Sequence, residues 1–367
     1  MRRRLVPLPF ALALLSLGAL GACRGGVAAG PGVLQRTPDW ERDSPPRPLP
    51  APPLGMEVDL ARTRVKLTPE KVRLGRWLFF DPRLSKDHTI SCASCHDPRH
   101  AFADVRARSL GVGGQEGTRK APPVVNVAFQ VSEVFFWDGR ARTLAEQAEG
   151  PLTNPVEMAS TAGAVVATVA SIPGYRRLFR EVYGDDRLDL PRITDAIAAY
   201  ETTRLSGGSA YDRFNAGEEG ALSAEARRGL ELFFGRGRCN ACHLGPTFSD
   251  ARFHNVGIGY RPPDDWVRTG FADPGRQAIS GDPADTGAFK TPTLRDVARH
   301  PPYLHDGSAL DLTDAVLRYV QVPPNPWLDP AMGEVHVDAE DVAPLVAFLE
   351  ALDGTGYEDV PPATFPR

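Results

Sequence analysis

Ser91-Cys92-Ala93-Ser94-Cys95-His96 and Arg238-Cys239-Asn240-Ala241-Cys242-His243 carry one pattern twice: two cysteines three apart, with a histidine directly after the second. The likeness extends outward from both. Upstream, Gly75-x-x-Leu78-Phe79-Phe80 matches Gly229-x-x-Leu232-Phe233-Phe234, and downstream Phe102-x-Asp104 matches Phe248-x-Asp250. One such match is within reach of chance, but several in the same order are explained by duplication of a structural unit. Each unit opens on a helix. Thr68-Pro69-Glu70 supplies a capping side chain, a proline at the first helical position and an acid in the first turn, ahead of Val72, Leu74, Leu78 and Phe79. That helix is expected to stop near Asp81-Pro82; its second copy starts at Ser223-Ala224-Glu225. Helical periodicity returns at Ile193, Ala196, Ile197 and Tyr200, at Leu312, Ala315, Val316 and Tyr319, and at Val342, Leu345, Val346, Leu349 and Leu352. Convincing alternating strands are absent, so the chain is expected to be mainly α, as two domains related by duplication. The long Gly- and Pro-rich connections at 111–123 and 262–292 have the length of loops that belong to a functional site.

The spacing Cys-x-x-Cys-His suits covalent attachment of c-type haem: two thiols bond the porphyrin edge and the next imidazole turns onto the iron. A zinc ribbon places its second cysteine pair about 15–20 residues away, whereas these pairs lie far apart. A disulfide gives no reason for a histidine after both pairs. The reading is therefore two haems, attached at Cys92 and Cys95 and at Cys239 and Cys242, with His96 and His243 as proximal iron ligands. Function then depends on what stands opposite each histidine, because a filled face passes electrons and an open one binds a small oxidant.

The chain has 367 residues, 42% of them hydrophobic, enough for a substantial core. Lys and Arg total 42 against 46 Asp and Glu, for a formal charge of −4, which argues against a nucleic-acid partner. Arg2, Arg3 and Arg4 precede an apolar run from Leu5 to Leu20, too short for a comfortable membrane span, and together they read as a secretory signal over residues 1–22. The run ends in Leu20-Gly21-Ala22-Cys23, similar to the lipobox of bacterial lipoproteins. Cys23 is then expected to carry the lipid anchor; ordinary cleavage nearby, leaving a free thiol, is the alternative. Residues 23–55, with "SPPRPLPAPPLG", read as a semi-extended tether that holds the globular part off a membrane on the periplasmic side, the outer membrane being the expected one. The domains are expected at 56–215 and 216–357, with a tail at 358–367.

The runs "LGRWLFFDPRLSKDHTISCASCHDP", "FWDGRA", "EQAEGPLTNPVEM", "CNACHLGPTFSDARFHNVG", "TPTLRDVA" and "PPYLHDGS" resemble the bacterial di-haem cytochrome c peroxidases and the related MauG-type enzymes over roughly residues 60 to 352. The resemblance implies two cytochrome c-like haem domains, an N-terminal one whose haem reacts with hydrogen peroxide and a C-terminal one that transfers electrons. It places Glu157 over the first haem, where a carboxyl group of raised pKa can carry a proton from one peroxide oxygen to the other. It places Gln147 on the same side as a hydrogen-bonding group, and Trp137 between the haems as a relay. Two departures stand out. Where the well-known peroxidases have a blocking histidine, this chain has Val112 within Gly111-Val112-Gly113-Gly114-Gln115-Glu116-Gly117, which implies an open first haem without reductive activation. Where they have a methionine ligand on the second haem, this chain has Tyr319, as MauG-type enzymes do, and a hard phenolate favours oxidised iron. A third departure concerns calcium, which family members hold between domains with an asparagine. Here Arg119-Lys120-Ala121-Pro122 offers a lysine, so calcium is doubtful, although carbonyls around Lys290 and Pro292 remain. The expected activity is peroxide reduction with electrons from a small cytochrome c or cupredoxin. The alternatives are oxidation of side chains on a partner protein and, in another class, a non-enzymatic electron carrier. The oligomeric state stays open.

Overall fold

The computed structural model describes residues 37–56, 60, 63–129, 134–263 and 270–367. The leader, Cys23 and the tether up to residue 36 lie outside the described residues. Residues 38–367 form one compact unit.

Helix α1 (Pro69–Phe80) starts where the Thr68 hydroxyl accepts the Lys71 N–H at 3.2 Å and stops where Asp81, held extended by the following proline, leaves the helix. It is followed by α2 (Leu144–Thr153), α3 (Ala162–Ser171), α4 (Pro173–Tyr183) and α5 (Leu190–Thr202), which complete a first lobe. After α6 (Ala210–Asn215), the second lobe is built on α7 (Ala224–Phe234), α8 (Leu312–Val320) and α9 (Val342–Glu350). Asp39–Arg42 and Gln277–Ser280 are single helical turns. Among the described residues, strands are confined to two minimal antiparallel pairs: β1 (Phe253–His254) on β4 (Phe289–Lys290), and β2 (Tyr260–Arg261) on β3 (Gly270–Phe271). Both pairs fall in or beside the long connection, which therefore folds as an arm of the second lobe.

The duplication is visible in the packing. A Cβ on Gly75 would collide with the Ala196 carbonyl and touch Tyr200, and a Cβ on Gly229 would collide with the Pro344 carbonyl and touch Phe348. Thus α1 crosses α5, and α7 crosses α9, with backbone against backbone at the same point. Two apolar cores result, one around Leu74, Trp77, Phe79, Phe102 and Tyr200, the other around Leu232, Phe233, Phe248, Leu345 and Phe348. A second correspondence lies further along. The bridges Phe135 to Ala141 and Tyr303 to Ala309 close two equivalent loops, "FFWDGRA" and "YLHDGSA", each leading through a capping residue, Thr143 or Asp311, into a helix. At equal spacing, Trp137 corresponds to His305, Gln147 to Ala315, and Pro151 to Tyr319.

A buried ion pair fastens α6, the segment that joins the lobes, to the second lobe. Arg295 makes two parallel bonds to Asp212 in α6, at 2.7 and 2.8 Å, and donates to the Pro246 carbonyl at 2.5 Å and the Gly55 carbonyl at 3.2 Å. The stretches read as tether and tail differ from that expectation where they are described: both touch the first lobe. Trp40 packs edge-on against Trp77, and the Asp359 carboxylate accepts from Arg76 at 2.8 Å and from the Tyr200 hydroxyl at 2.9 Å. Glu41 and Ser44 add bonds to Arg177 and Arg76, and the Pro366 and Arg367 carbonyls accept from Arg83 and Gly174, so these otherwise polar, Pro-rich segments are held at several points.

Candidate functional site

Each Cys-x-x-Cys-His segment is a tight turn, Cys92–Ser94 or Cys239–Ala241, with the histidine N–H bonded back to the first cysteine carbonyl at 2.9 Å in both lobes. The imidazoles are oriented alike. His96 Nδ1 donates to the Phe102 carbonyl at 3.1 Å and His243 Nδ1 to the Phe248 carbonyl at 2.9 Å. These two phenylalanines, the repeated Phe of Phe-x-Asp, sit in the left-handed region at φ 55° and 52°, which aims their carbonyls at the rings. A ring that donates from Nδ1 keeps its lone pair on Nε2, and burial pushes both histidines below their usual pKa, so both are neutral as an iron ligand must be. Burial raises the Cys92 thiol and pushes Cys239 up to about 12, so these two keep their protons, and none of the four cysteines is in a disulfide. Two thiols and a neutral imidazole at the edge of a largely apolar cavity, found twice, fit haem c.

The first cavity is lined by His96, Trp137, Leu144, Gln147 and Glu201, among others. Three of the residues singled out in the sequence, His96, Trp137 and Gln147, therefore meet at one cavity. Glu157 is not on that wall. It stands in the turn after α2, close enough to Cys92 and Cys95 to act on both thiols electrostatically. Burial raises its pKa, while the Asn154 amide, donating to Oε1 at 2.6 Å, and Arg140 pull the other way. Its carbonyl accepts the Val112 N–H at 2.8 Å, and a Cβ on Gly111 would collide with the Val156 and Glu157 carbonyls. The loop that carries Val112 is thus clamped to the acid itself.

The second cavity brings His243 together with Leu312, Ala315, Val316, Tyr319 and Leu349. Burial pushes the Tyr319 phenol up to about 12, the two nearby cysteines adding to the effect. Trp137 lines both cavities. Its indole N–H donates to the Lys120 carbonyl at 2.8 Å, its own carbonyl accepts the Lys290 N–H at 2.8 Å, and its ring meets His305 edge-on at 6.4 Å. His305 in turn stacks on Phe289 at 3.6 Å. Sequence reasoning missed His305; the signal was the shared Asp-Gly-x-Ala of the two loops. It also gave no role to His254, whose ring nitrogens are both engaged by carboxylates, Asp329 at 2.7 Å and Asp250 at 2.9 Å. Cys242, Asp250 and His254 converge as a small cation site would, but that ring has no lone pair to spare and Cys242 belongs to the haem motif. The Lys120 ammonium donates to the carbonyls of Asp104 and, at 3.4 Å, Arg106, and burial pushes its pKa down to about 8.

A family model described as di-haem cytochrome c peroxidase matches residues 69–220. The chain is 39% identical over 288 residues to the methylamine utilization protein MauG of Methylorubrum extorquens, covering 78% of this chain and 79% of that one. It is also 39% identical over 295 residues to the cytochrome c551 peroxidase of Nitrosomonas europaea, covering 78% and 82%. Among solved structures, a MauG-like protein associated with microbial copper homeostasis superposes with a TM-score of 0.72 at 28% identity, over 87% of this chain and 98% of that one. The diheme peroxidase BthA from Burkholderia thailandensis superposes with a TM-score of 0.68 at 25% identity, over 89% and 98%.

Proposed function

The chain belongs to the di-haem cytochrome c peroxidase family, and from that premise we propose that it reduces hydrogen peroxide at a haem c held by Cys92, Cys95 and His96. The electrons pass through a second haem c held by Cys239, Cys242 and His243. The observation that carries this division of labour is the correspondence of Pro151 with Tyr319. The same helix position offers a phenol oxygen that could ligate iron in the second lobe and a side chain that cannot ligate in the first, so a haem at His243 would be closed and one at His96 open to a small oxidant.

Bound at these motifs, the haems supply the one-electron steps that peroxide reduction needs. The protein supplies the rest. Glu157, partly buried beside Cys92 and Cys95 although off the wall that His96 and Gln147 share, would take a proton from one peroxide oxygen and return it to the other. Gln147 presents an amide to the first cavity and orients the substrate there. Trp137, on both cavity walls, is the relay. The Lys120 ammonium, against two carbonyls, supports a lobe junction whose positive charge comes from lysine rather than calcium. The leader and Cys23 support export and attachment to a membrane by lipid on the periplasmic side.

A second reading, peroxide-driven oxidation of side chains on a partner protein, is favoured by Tyr319 and by the row of rings that runs from Trp137 through His305 to Phe289, which can hold an oxidising equivalent away from the first haem. Mixing the di-haem protein with peroxide and a reduced small c-type cytochrome separates the two. Oxidation of two cytochromes per peroxide is the expected result, and peroxide consumption with the cytochrome left reduced would overturn the peroxidase reading.

A further inference from the structure

We propose that Glu201 is a second acid of the first haem cavity, one that holds a proton while that haem is reduced and releases it into the cavity as the haem is oxidised. Glu201, in the last turn of α5, is 4% exposed, lines the cavity that holds His96, and leaves Oε2 without a hydrogen-bond partner. Burying a carboxyl oxygen without a hydrogen-bond partner is costly, so packing alone does not account for it. The chain contains its own control. Gly75 meets Ala196 and Tyr200 as Gly229 meets Pro344 and Phe348, so the residue after Tyr200 corresponds to the residue after Phe348. That residue is Leu349, which lines the second cavity. An apolar side chain therefore fills this place adequately in the lobe whose iron only passes electrons, and the acid stands in the lobe whose cavity takes the oxidant.

The titratable groups around Glu201 are few. Cys92, from the haem-binding turn, loses its thiol on attachment; His96 is neutral; Lys290, from β4, lines the same cavity and is itself disfavoured as a cation by burial. Burial alone pushes Glu201 up to about 8, so it is an acid at neutral pH. The balance is simple: one electron leaving the haem is matched by one proton leaving the carboxyl. Peroxide takes up two electrons and two protons to become two waters, so the released proton ends in product.

The proposal rests on haem attachment at Cys92 and Cys95, which the mass and visible spectrum of the purified chain report before any titration. The test is spectroelectrochemical titration of both haems between about pH 6 and 10 in the wild type, Glu201→Gln and Glu201→Leu. In the wild type the first-haem potential should fall as pH rises through about 8, because the carboxylate favours the oxidised haem. In both variants that dependence should vanish while the second-haem potential keeps its wild-type course. Survival of the first-haem dependence in either variant overturns the proposal; if Glu201→Leu takes up no haem, the near-isosteric Glu201→Gln gives the answer alone.

Discussion

The neutral imidazoles of His96 and His243 are equivalent down to the carbonyl each one bonds, so the difference between the two sites has to come from single residues elsewhere. Glu157 is the first of these. Glu157→Gln should leave both haems attached yet slow the reaction with peroxide by about 10²–10⁴-fold in stopped-flow absorbance. Because burial raises the Glu157 pKa, the wild-type rate should fall as pH drops through that value, where a protonated carboxyl cannot accept a proton, and the glutamine variant should lack this acid limb. Tyr319 is the second. Tyr319→Phe should change the visible spectrum of the second haem only, and an unaltered spectrum would leave the phenol as packing. Cys92, Cys95, His96 and their repeats were legible in the sequence because attachment chemistry imposes a spacing. Glu201 and His305 were not, since their meaning depends on what faces them across a cavity.

At the scale of elements, helix starts were readable because capping is local: Thr68 and Ser223 both cap the helices expected of them. The helix α2 was harder to read, with Gly150 and Pro151 inside it; both residues argue for a break, and the packing of Leu144, Ala148 and Leu152 overrides them. The two helix crossings make a paired prediction. Gly75→Ala and Gly229→Ala each force a methyl into a facing carbonyl, and each should destabilise its own lobe by about 1–3 kcal/mol in thermal unfolding. The haem of the other lobe should keep its spectrum. A loss shared equally by both haems would contradict the independence of the two crossings.

Across the whole molecule, the Arg295–Asp212 pair, 1% and 4% exposed, fastens the joining helix α6 to the second lobe, with the Gly55 carbonyl beside it. Arg295→Met strands a buried carboxylate and should cost about 3–5 kcal/mol; adding Asp212→Leu should recover much of that loss, as differential scanning calorimetry would show. Such ties are hard to read from sequence, because the partners lie on distant segments and neither belongs to a periodic pattern. The same holds for Trp40 and Asp359, which anchor segments whose composition reads as linker. The central claim, two haems attached alike with only one open to peroxide, is tested most directly by electron paramagnetic resonance of the oxidised protein before and after one equivalent of hydrogen peroxide. The account predicts a high-spin signal from the haem at His96 that is lost on adding peroxide, beside a low-spin signal from the haem at His243; two low-spin signals unmoved by peroxide would contradict it and describe an electron carrier instead.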